Sequence, residues 1–248
     1  MKEAYENIYH QIEKNHFWFK ARRKFILQLI EGSSKDLSIL DIGCSSGVLL
    51  NNLIDIGFEV NNMYGIDISA KAVQNCKENG IQNAFIMDAQ HIDLNRKFDI
   101  IIASDCLEHV QDDEKALQNW HDLLNPEGQL FVFVPAFTIL WGEHDVVNLH
   151  FRRYTKNTLR TKLDLTGYEM ILSGYWNFFL FIPVLLIRLL SRIKASNKQS
   201  STGDLADLSV FNGPLFQLLR MENKILRHIN FPFGVSAFCV VKKASTIE

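Results

Sequence analysis

The chain has 248 residues, with 26 Lys and Arg against 28 Asp and Glu and a formal net charge of −2. That balance excludes a nucleic-acid surface as its main purpose, since counterion-release binding needs a clear basic excess. With 47% hydrophobic and 22% charged residues it is also neither disordered nor fibrous. The four cysteines, Cys44, Cys76, Cys106 and Cys239, fall singly, and the N-terminus lacks the apolar run of a signal peptide, so reduced thiols in the cytoplasm are the expectation. Eighteen Phe are many for such a composition, and their placement matters below.

Phe17, Trp18 and Arg22 belong to an N-terminal helical stretch, residues 1–35. From 39 to 134 short apolar runs alternate with amphipathic stretches, each switch marked by Gly, Asp or Ser, which is the rhythm of βαβ units on a parallel sheet. Strands are predicted at 38–42, 63–66, 84–87, 98–103 and 129–134, and helices at 47–56, 70–79 and 112–124. Ser69 is a good N-cap for the second helix and Gly80 a good stop. Asp112, Asp113 and Glu114 suit the positive end of the third helix, in which Leu117, Trp120 and Leu124 repeat at helical spacing.

After 134 the rhythm breaks. Residues 135–155 form a long polar and aromatic loop, followed by a helix at 156–165 and a strand at 168–173. In 175–190, 13 of 16 residues are apolar, but the run is too short to span a bilayer and contains Pro183 and Arg188. Residues 194–209 read as a mobile connector, 214–229 as a helix and 235–241 as a last strand.

The strongest local signal is Asp41-Ile42-Gly43-Cys44-Ser45-Ser46-Gly47, a strand ending in a glycine-containing turn that opens a helix and lets a ligand lie against the backbone. The dinucleotide fingerprint G-x-G-x-x-G is absent, which disfavours a dinucleotide-dependent oxidoreductase. Asp67 ends the second strand and Asp88 the third. A carboxylate in the first place can accept both hydroxyls of a ribose, and one in the second can reach an exocyclic amine. Together they describe a nucleoside site without phosphates.

These residues resemble the class I S-adenosylmethionine-dependent methyltransferases over roughly residues 36–175 plus the last strand. Asp41-x-Gly43-x-Ser45-x-Gly47 is similar to the family's D-x-G-x-G-x-G signature, with Ser45 in place of the middle glycine. Asp67 matches the ribose-binding acid, Asp88-Ala89 the adenine-contacting pair, Phe98-Asp99-Ile100-Ile101 with Leu107-Glu108-His109-Val110 the fourth-strand motif, and 124–130 the entry to strand five. The stretches 15–23, 140–145 and 150–155 resemble a bacterial branch of these enzymes whose substrate is not fixed. The resemblance implies an α/β, Rossmann-like three-layer αβα sandwich with a seven-stranded, mostly parallel sheet, an antiparallel last strand and a helical insertion. The chain would then be a single domain, 1–248: an N-terminal helical lid at 1–35, the cofactor-binding core at 36–175 and 235–243, and an apolar helical insertion at 176–230.

The function so implied is transfer of a methyl group from S-adenosylmethionine to a small-molecule or lipid- or saccharide-linked acceptor, by in-line displacement assisted by a base. Cofactor contact falls to Asp41, Gly43, Cys44, Gly47, Asp67, Ile68, Asp88, Ala89 and Ser104. His109, after the fourth strand, is the first candidate base, against the alternative that it only shapes the pocket or caps a helix. His144 and His150 in the long loop are further catalytic candidates, against plain solvation. Trp141, Asp145, Arg152, Arg153 and Tyr154 are candidates for the substrate side, since arginine pairs bind carboxylate or phosphate; a salt bridge to Glu143 or Asp145 is the competing reading. Phe17, Trp18 and Arg22 would lid the site, with cation–π attraction to a sulfonium weighed against simple packing. Asp105-x-x-Glu108-His109 resembles the metal-binding stretch of small-RNA 2′-O-methyltransferases and of some quinone-biosynthesis O-methyltransferases, but Leu-Glu-His is common without metal, and no metal is assigned.

Phe178, Phe179, Phe181, Phe211 and Phe216 lie in or beside the insertion, so the Phe excess is partly local. This makes 176–230 a candidate for peripheral contact with the inner face of the membrane. It also supports an alternative function, a cofactor-sensing or membrane-associated interaction protein of the same fold without turnover.

Overall fold

The computed structural model describes residues 12–193 and 211–244; the connector expected at 194–209 and the first eleven residues of the lid lie outside them. Seven strands form one sheet: β1 (Ile39–Ile42), β2 (Met63–Asp67), β3 (Ala84–Ile86), β4 (Phe98–Ser104), β5 (Leu124–Pro135), β6 (Tyr168–Trp176) and β7 (Ser236–Lys243), in the order β3-β2-β1-β4-β5-β7-β6. The first five are parallel, and β7 runs antiparallel to both β5 and β6. This is the expected fold class. The order reverses beside β1, where the chain leaves for β2 on one side and returns to β4 on the other. A crevice therefore opens at the carboxyl ends of these strands, which is where open α/β sheets bind ligands.

The period of two along each strand builds two cores. Ile39, Ile100, Ile102, Phe131, Phe133 and Phe238 face the layer containing α1 (Phe17–Leu29), α2 (Val48–Asp55) and α3 (Ala70–Glu78). Leu40, Ile42, Ile101, Ala103, Leu130 and Val132 face the opposite layer, with α4 (Asp113–Asp122) and α6 (Lys156–Leu165). Apolar residues on both faces are what a sheet covered on both sides requires. Ser69 caps α3 as its position predicted, and Asp112, expected as the first helical residue, is the cap of α4.

Three of the differences from the sequence reading bear on the site and the insertion. β5 begins at Leu124 rather than 129, because Leu124 pairs with Phe98. The long loop contains a short helix, α5 (Glu143–Val147), which Asp145 holds by accepting the Gly142 amide at 2.8 Å. Strand β6 runs to Trp176, where Tyr175 and Trp176 pair with Ala237 and Ser236; Asn177, at φ +64°, then turns the chain into α7 (Phe178–Ile193).

The insertion is anchored by buried polar groups. Glu222 on α8 (Asn212–Ile225) accepts the amides of Asn177, Phe178 and Phe179, the donors that open α7. Its neighbour Asn223 accepts from the Trp176 indole at 2.8 Å and donates to the Ala21 carbonyl at 2.9 Å. One face of α7 packs through Phe178 and Phe181 on Phe231 and Phe233. Its other face leaves Ile182, Leu186, Ile187 and Leu190 more than half exposed. Among the described residues no helix is long and apolar enough to cross a membrane.

Candidate functional site

The crevice holds a cavity of about 570 Å³, within the size range of small-molecule sites. Gly43, Asp67, Ile68, Asp88, Ala89 and Ser104 line it, six of the nine predicted cofactor residues. Asp41 and Cys44 line a smaller adjoining cleft together with Gly43 and Ser104. Gly47 lines neither; at φ +74° it occupies the N-cap of α2, and a Cβ there would stand 2.7 Å from the Cys76 sulfur. Its part is to let the turn close.

Asp67 is oriented by the turn it faces. Its Oδ2 accepts the Ser45 amide at 3.0 Å and its Oδ1 the Ser69 amide at 2.9 Å, so the carboxylate is fixed at the end of β2. Ser45 takes φ +48°, the left-handed region that a glycine would enter without cost. Its hydroxyl, with that of Ser46, donates to the Glu13 carboxylate at 2.9 and 2.7 Å. Glu13 thus brings the chain before α1 onto the glycine turn, a contact that no local pattern announced. Burial, followed by Glu13 and Asp67, pushes the Asp41 carboxyl up to about 8. A hydrogen bond to Cys76 and burial hold the Cys44 thiol up, and burial does the same for Cys106, so neither is a ready nucleophile.

Arg22 enters from α1. Its guanidinium pairs with Asp105 and lies over both the Trp18 and Trp176 rings, at 5.5 and 5.0 Å from their centres, the two indoles meeting edge-on at 5.4 Å. The aromatic cluster of the N-terminal helix is therefore packing, and the cation it holds is Arg22.

Across the cavity lie the loop residues. His109 lines it, as do Asn148, Leu149 and Phe151. His144 and His150 stand behind: the His150 ring is 4.6 Å from that of His109 and 5.9 Å from that of His144, both edge-on. The Phe151 amide donates to the Glu108 carbonyl at 2.8 Å and clips this loop to the turn after β4. Burial first, and His150 next, push His109 and His144 each down to about 4, so both are neutral imidazoles at pH 7.

The predicted substrate-side residues form a frame rather than a cavity wall. Asp145 is fully buried and accepts from Arg153 Nε at 2.8 Å, Arg153 Nη2 at 3.0 Å and His150 Nδ1 at 2.8 Å. These bonds hold its carboxyl far below the usual range despite burial. Arg152 pairs with Asp113 at 2.8 Å, and the Tyr154 hydroxyl donates to the same carboxylate at 2.8 Å. The salt-bridge reading of the arginine pair holds, with Asp113 as a partner the sequence did not offer. None of Trp141, Asp145, Arg152, Arg153 and Tyr154 lines the cavity. The Trp141 carbonyl instead accepts from Arg192 of α7, as does that of Ile139.

The geometry offers a carboxylate at Asp67 able to accept from hydroxyl donors, a carboxylate at Asp88 one strand further, and a left-handed turn at Gly43 that brings backbone to the cavity wall. These residues suit a nucleoside carrying no phosphate.

Comparison with known proteins agrees. A family model described as a methyltransferase domain matches residues 13–173, more than half of the chain. The ubiquinone biosynthesis O-methyltransferase of Coxiella burnetii is 32% identical over 117 residues, 45% of this chain and 48% of that protein. The chain thus spans about half the length of the curated relatives it matches. Among solved structures, a chain of the complex between the Haloferax volcanii Trm112 methyltransferase activator and a methyltransferase superposes with a TM-score of 0.65 at 14% identity, covering 99% of this chain and 97% of that one. The Haemonchus contortus phosphoethanolamine N-methyltransferase 2, in complex with S-adenosyl-L-methionine, gives 0.56 at 18% identity over 90% of this chain and 52% of that one. The chain belongs to the methyltransferase-domain family, with the Rossmann-like fold of its class.

Proposed function

We propose, from that membership and the geometry of the cavity, that the protein transfers a methyl group from S-adenosylmethionine to a hydroxyl-bearing, lipid-linked small molecule. The observation that carries the reading is the single cavity with Gly43, Asp67 and Asp88 on one side and His109 on the other. Asp67 would hold the ribose and Asp88-Ala89 the adenine, while Asp41, Cys44 and Ser104 line the cleft beside them. When bound, S-adenosylmethionine supplies an electrophilic methyl on a sulfonium. The chain's own share is to align the acceptor and help it lose a proton. The imidazoles of His109, His144 and His150 sit on the acceptor side for that purpose, with His109 at the wall. Asp145, Arg152, Arg153 and Tyr154 hold the loop that presents them.

The lipid-linked class is supported by exposed apolar side chains beside this wall. Leu149 and Phe151 line the cavity and are more than half exposed, and Ile139 and Val146 in the same loop are at least half exposed. Helix α7, with its own apolar outer face, is tied to that loop through Arg192. Exposed apolar surface of this extent marks a contact surface, here the inner face of a membrane that carries the acceptor.

The test offers methyl-labelled S-adenosylmethionine together with phenolic acceptors bearing an isoprenoid tail in vesicles, or their tail-less counterparts in buffer. Label in the organic phase, faster with vesicles, is the expected result. Label only on the water-soluble acceptors would remove the lipid-linked class, and no demethylated product with either would favour the fold-without-turnover alternative.

A further inference from the structure

Glu13 lies just before α1 and is 7% exposed. Its backbone is fastened independently of its side chain: Arg23 Nη1 donates to the Glu13 carbonyl at 2.8 Å and Nη2 to that of Lys14 at 2.9 Å, while Arg23 Nε donates to Asn52 of α2 at 3.1 Å. The carboxylate turns inward instead. The Ser45 and Ser46 hydroxyls both donate to its Oε2, and among the described residues no donor reaches Oε1 and no cation pairs with either oxygen. A buried carboxylate is ordinarily matched by a positive charge.

Its position says which positive charge would fit. Glu13 lines the smaller cleft, which shares Gly43, Ser45, Ser104 and Asp105 with the main cavity. The sheet order β3-β2-β1-β4 sets Asp88, Asp67, Gly43 and Asp105 one after another across the crevice. A nucleoside with its base at Asp88 and its ribose at Asp67 sends its 5′ substituent past Gly43 into this cleft. In S-adenosylmethionine that substituent ends in an amino acid bearing an α-ammonium. Three carboxyls line the cleft: Glu13, Asp41 and Asp105. Asp105 is committed to Arg22. Burial first, then Glu13 and Asp67, raise Asp41 to about 8, so it is mostly protonated at pH 7. Glu13 is the carboxylate left to meet the ammonium.

We propose that Glu13 accepts a hydrogen bond from the α-ammonium of S-adenosylmethionine and fixes the methionine end of the cofactor against the glycine turn. The residue lies outside the motifs that carry the family resemblance. Ser45, which stands where the signature has a glycine, supplies one of the two hydroxyls that aim it. The inference rests on the nucleoside placement proposed above and adds a discrimination to it. A charge-assisted bond at Glu13 makes the site prefer nucleosides that carry the ammonium over those that lack it.

The test is calorimetry on the full-length protein with the demethylated product, S-adenosylhomocysteine, and with its deaminated analogue, which keeps the carboxylate and carries hydrogen in place of the ammonium. The wild-type protein should bind the first at least ~10-fold more tightly, and Glu13→Gln should bring the two within ~2-fold by weakening only the first. Equal weakening of both would show that Glu13 only supports the turn. A preference that survives the substitution would place the ammonium elsewhere, and tighter binding by the variant would make the carboxylate a plug. Each of these overturns the inference. Where the variant fails to fold, a structure of the wild-type complex decides alone: an ammonium nitrogen within about 3.2 Å of a Glu13 oxygen upholds the contact, and one out of that reach overturns it. Binding of neither compound by the folded wild-type protein removes the nucleoside site and the inference with it, whereas binding of both without preference overturns the inference alone.

Discussion

The two walls of the cavity are built by different means. On the proposed cofactor side each lining residue ends its own strand: Gly43 follows β1, Asp67 closes β2 and Asp88 follows β3, so sheet order alone brings them together. On the proposed acceptor side the residues meet through pairs that strand order does not set: Asp145 with Arg153, Tyr154 with Asp113, and Phe151 with the Glu108 carbonyl. The first wall is a consequence of topology. The second is held by a buried electrostatic frame, and it should be the more easily broken.

The largest effect expected from that contrast is at Asp145. Replacing it by Ala strands Arg153 without its buried partner and should cost about 3–5 kcal/mol in urea unfolding, while cofactor affinity of the protein still folded stays within ~3-fold. A weaker cofactor affinity of the same size as at Asp67 would show that the two walls are one unit. Next, Asp67→Ala should weaken S-adenosylmethionine binding by about 2–3 kcal/mol, since two ribose hydroxyls lose a charged acceptor, with a smaller change in stability. Unchanged affinity by calorimetry would mean the ribose lies elsewhere.

The walls should also respond to pH with opposite sign. His109 and His144 have folded values near 4, below the ordinary 6.5. The unfolded chain therefore takes up protons first, and their contribution is present above 6.5 and lost as pH falls toward 4. Asp41 is raised to about 8, so its contribution is present below about 3.8 and lost as pH rises through 8. His109→Gln with His144→Gln should flatten the acid limb by about 4 kcal/mol, about 2 for each imidazole, between pH 6.5 and 4.5, and Asp41→Asn should flatten the alkaline one. Parallel shifts of both limbs by either variant would contradict the assignment.

The smallest effect lies on α7. Ile182→Ser with Leu186→Ser removes only exposed side chains and should change stability by less than about 0.5 kcal/mol per site. The same pair should abolish flotation with liposomes. Point changes are preferred to deletion of the insertion, because Glu222 and Asn223 tie it to α7, β6 and α1.

The same contrast explains what the sequence disclosed. Strand ends and the glycine turn are local patterns, so β1 to β5 and the residues at their carboxyl ends were legible to within a few positions. The exception, Ser45, kept the glycine's backbone conformation and added a hydroxyl bond to Glu13. Arg152 and Arg153 left two readings open in linear sequence, an anion receptor or a salt bridge to Glu143 or Asp145; the fold pairs Arg153 with Asp145, and Arg152 with Asp113, a distant partner that the sequence did not offer. Glu108 read as part of a linear motif with Asp105, whereas the fold pairs Asp105 with Arg22 from α1 and leaves Glu108 buried. The Phe excess divided as expected into ordinary core, such as Phe133 on Phe238, and the insertion, where Phe178 stacks on Phe231.

The central claim is that the strand ends of this sheet form a nucleoside site for a methyl donor. Calorimetric titration of the intact protein with S-adenosylmethionine and with its demethylated product measures it directly. The account predicts saturable one-to-one binding of both, weakened by Asp67→Ala and retained by Ile182→Ser with Leu186→Ser. Absence of binding to either compound by the folded wild-type protein would contradict it.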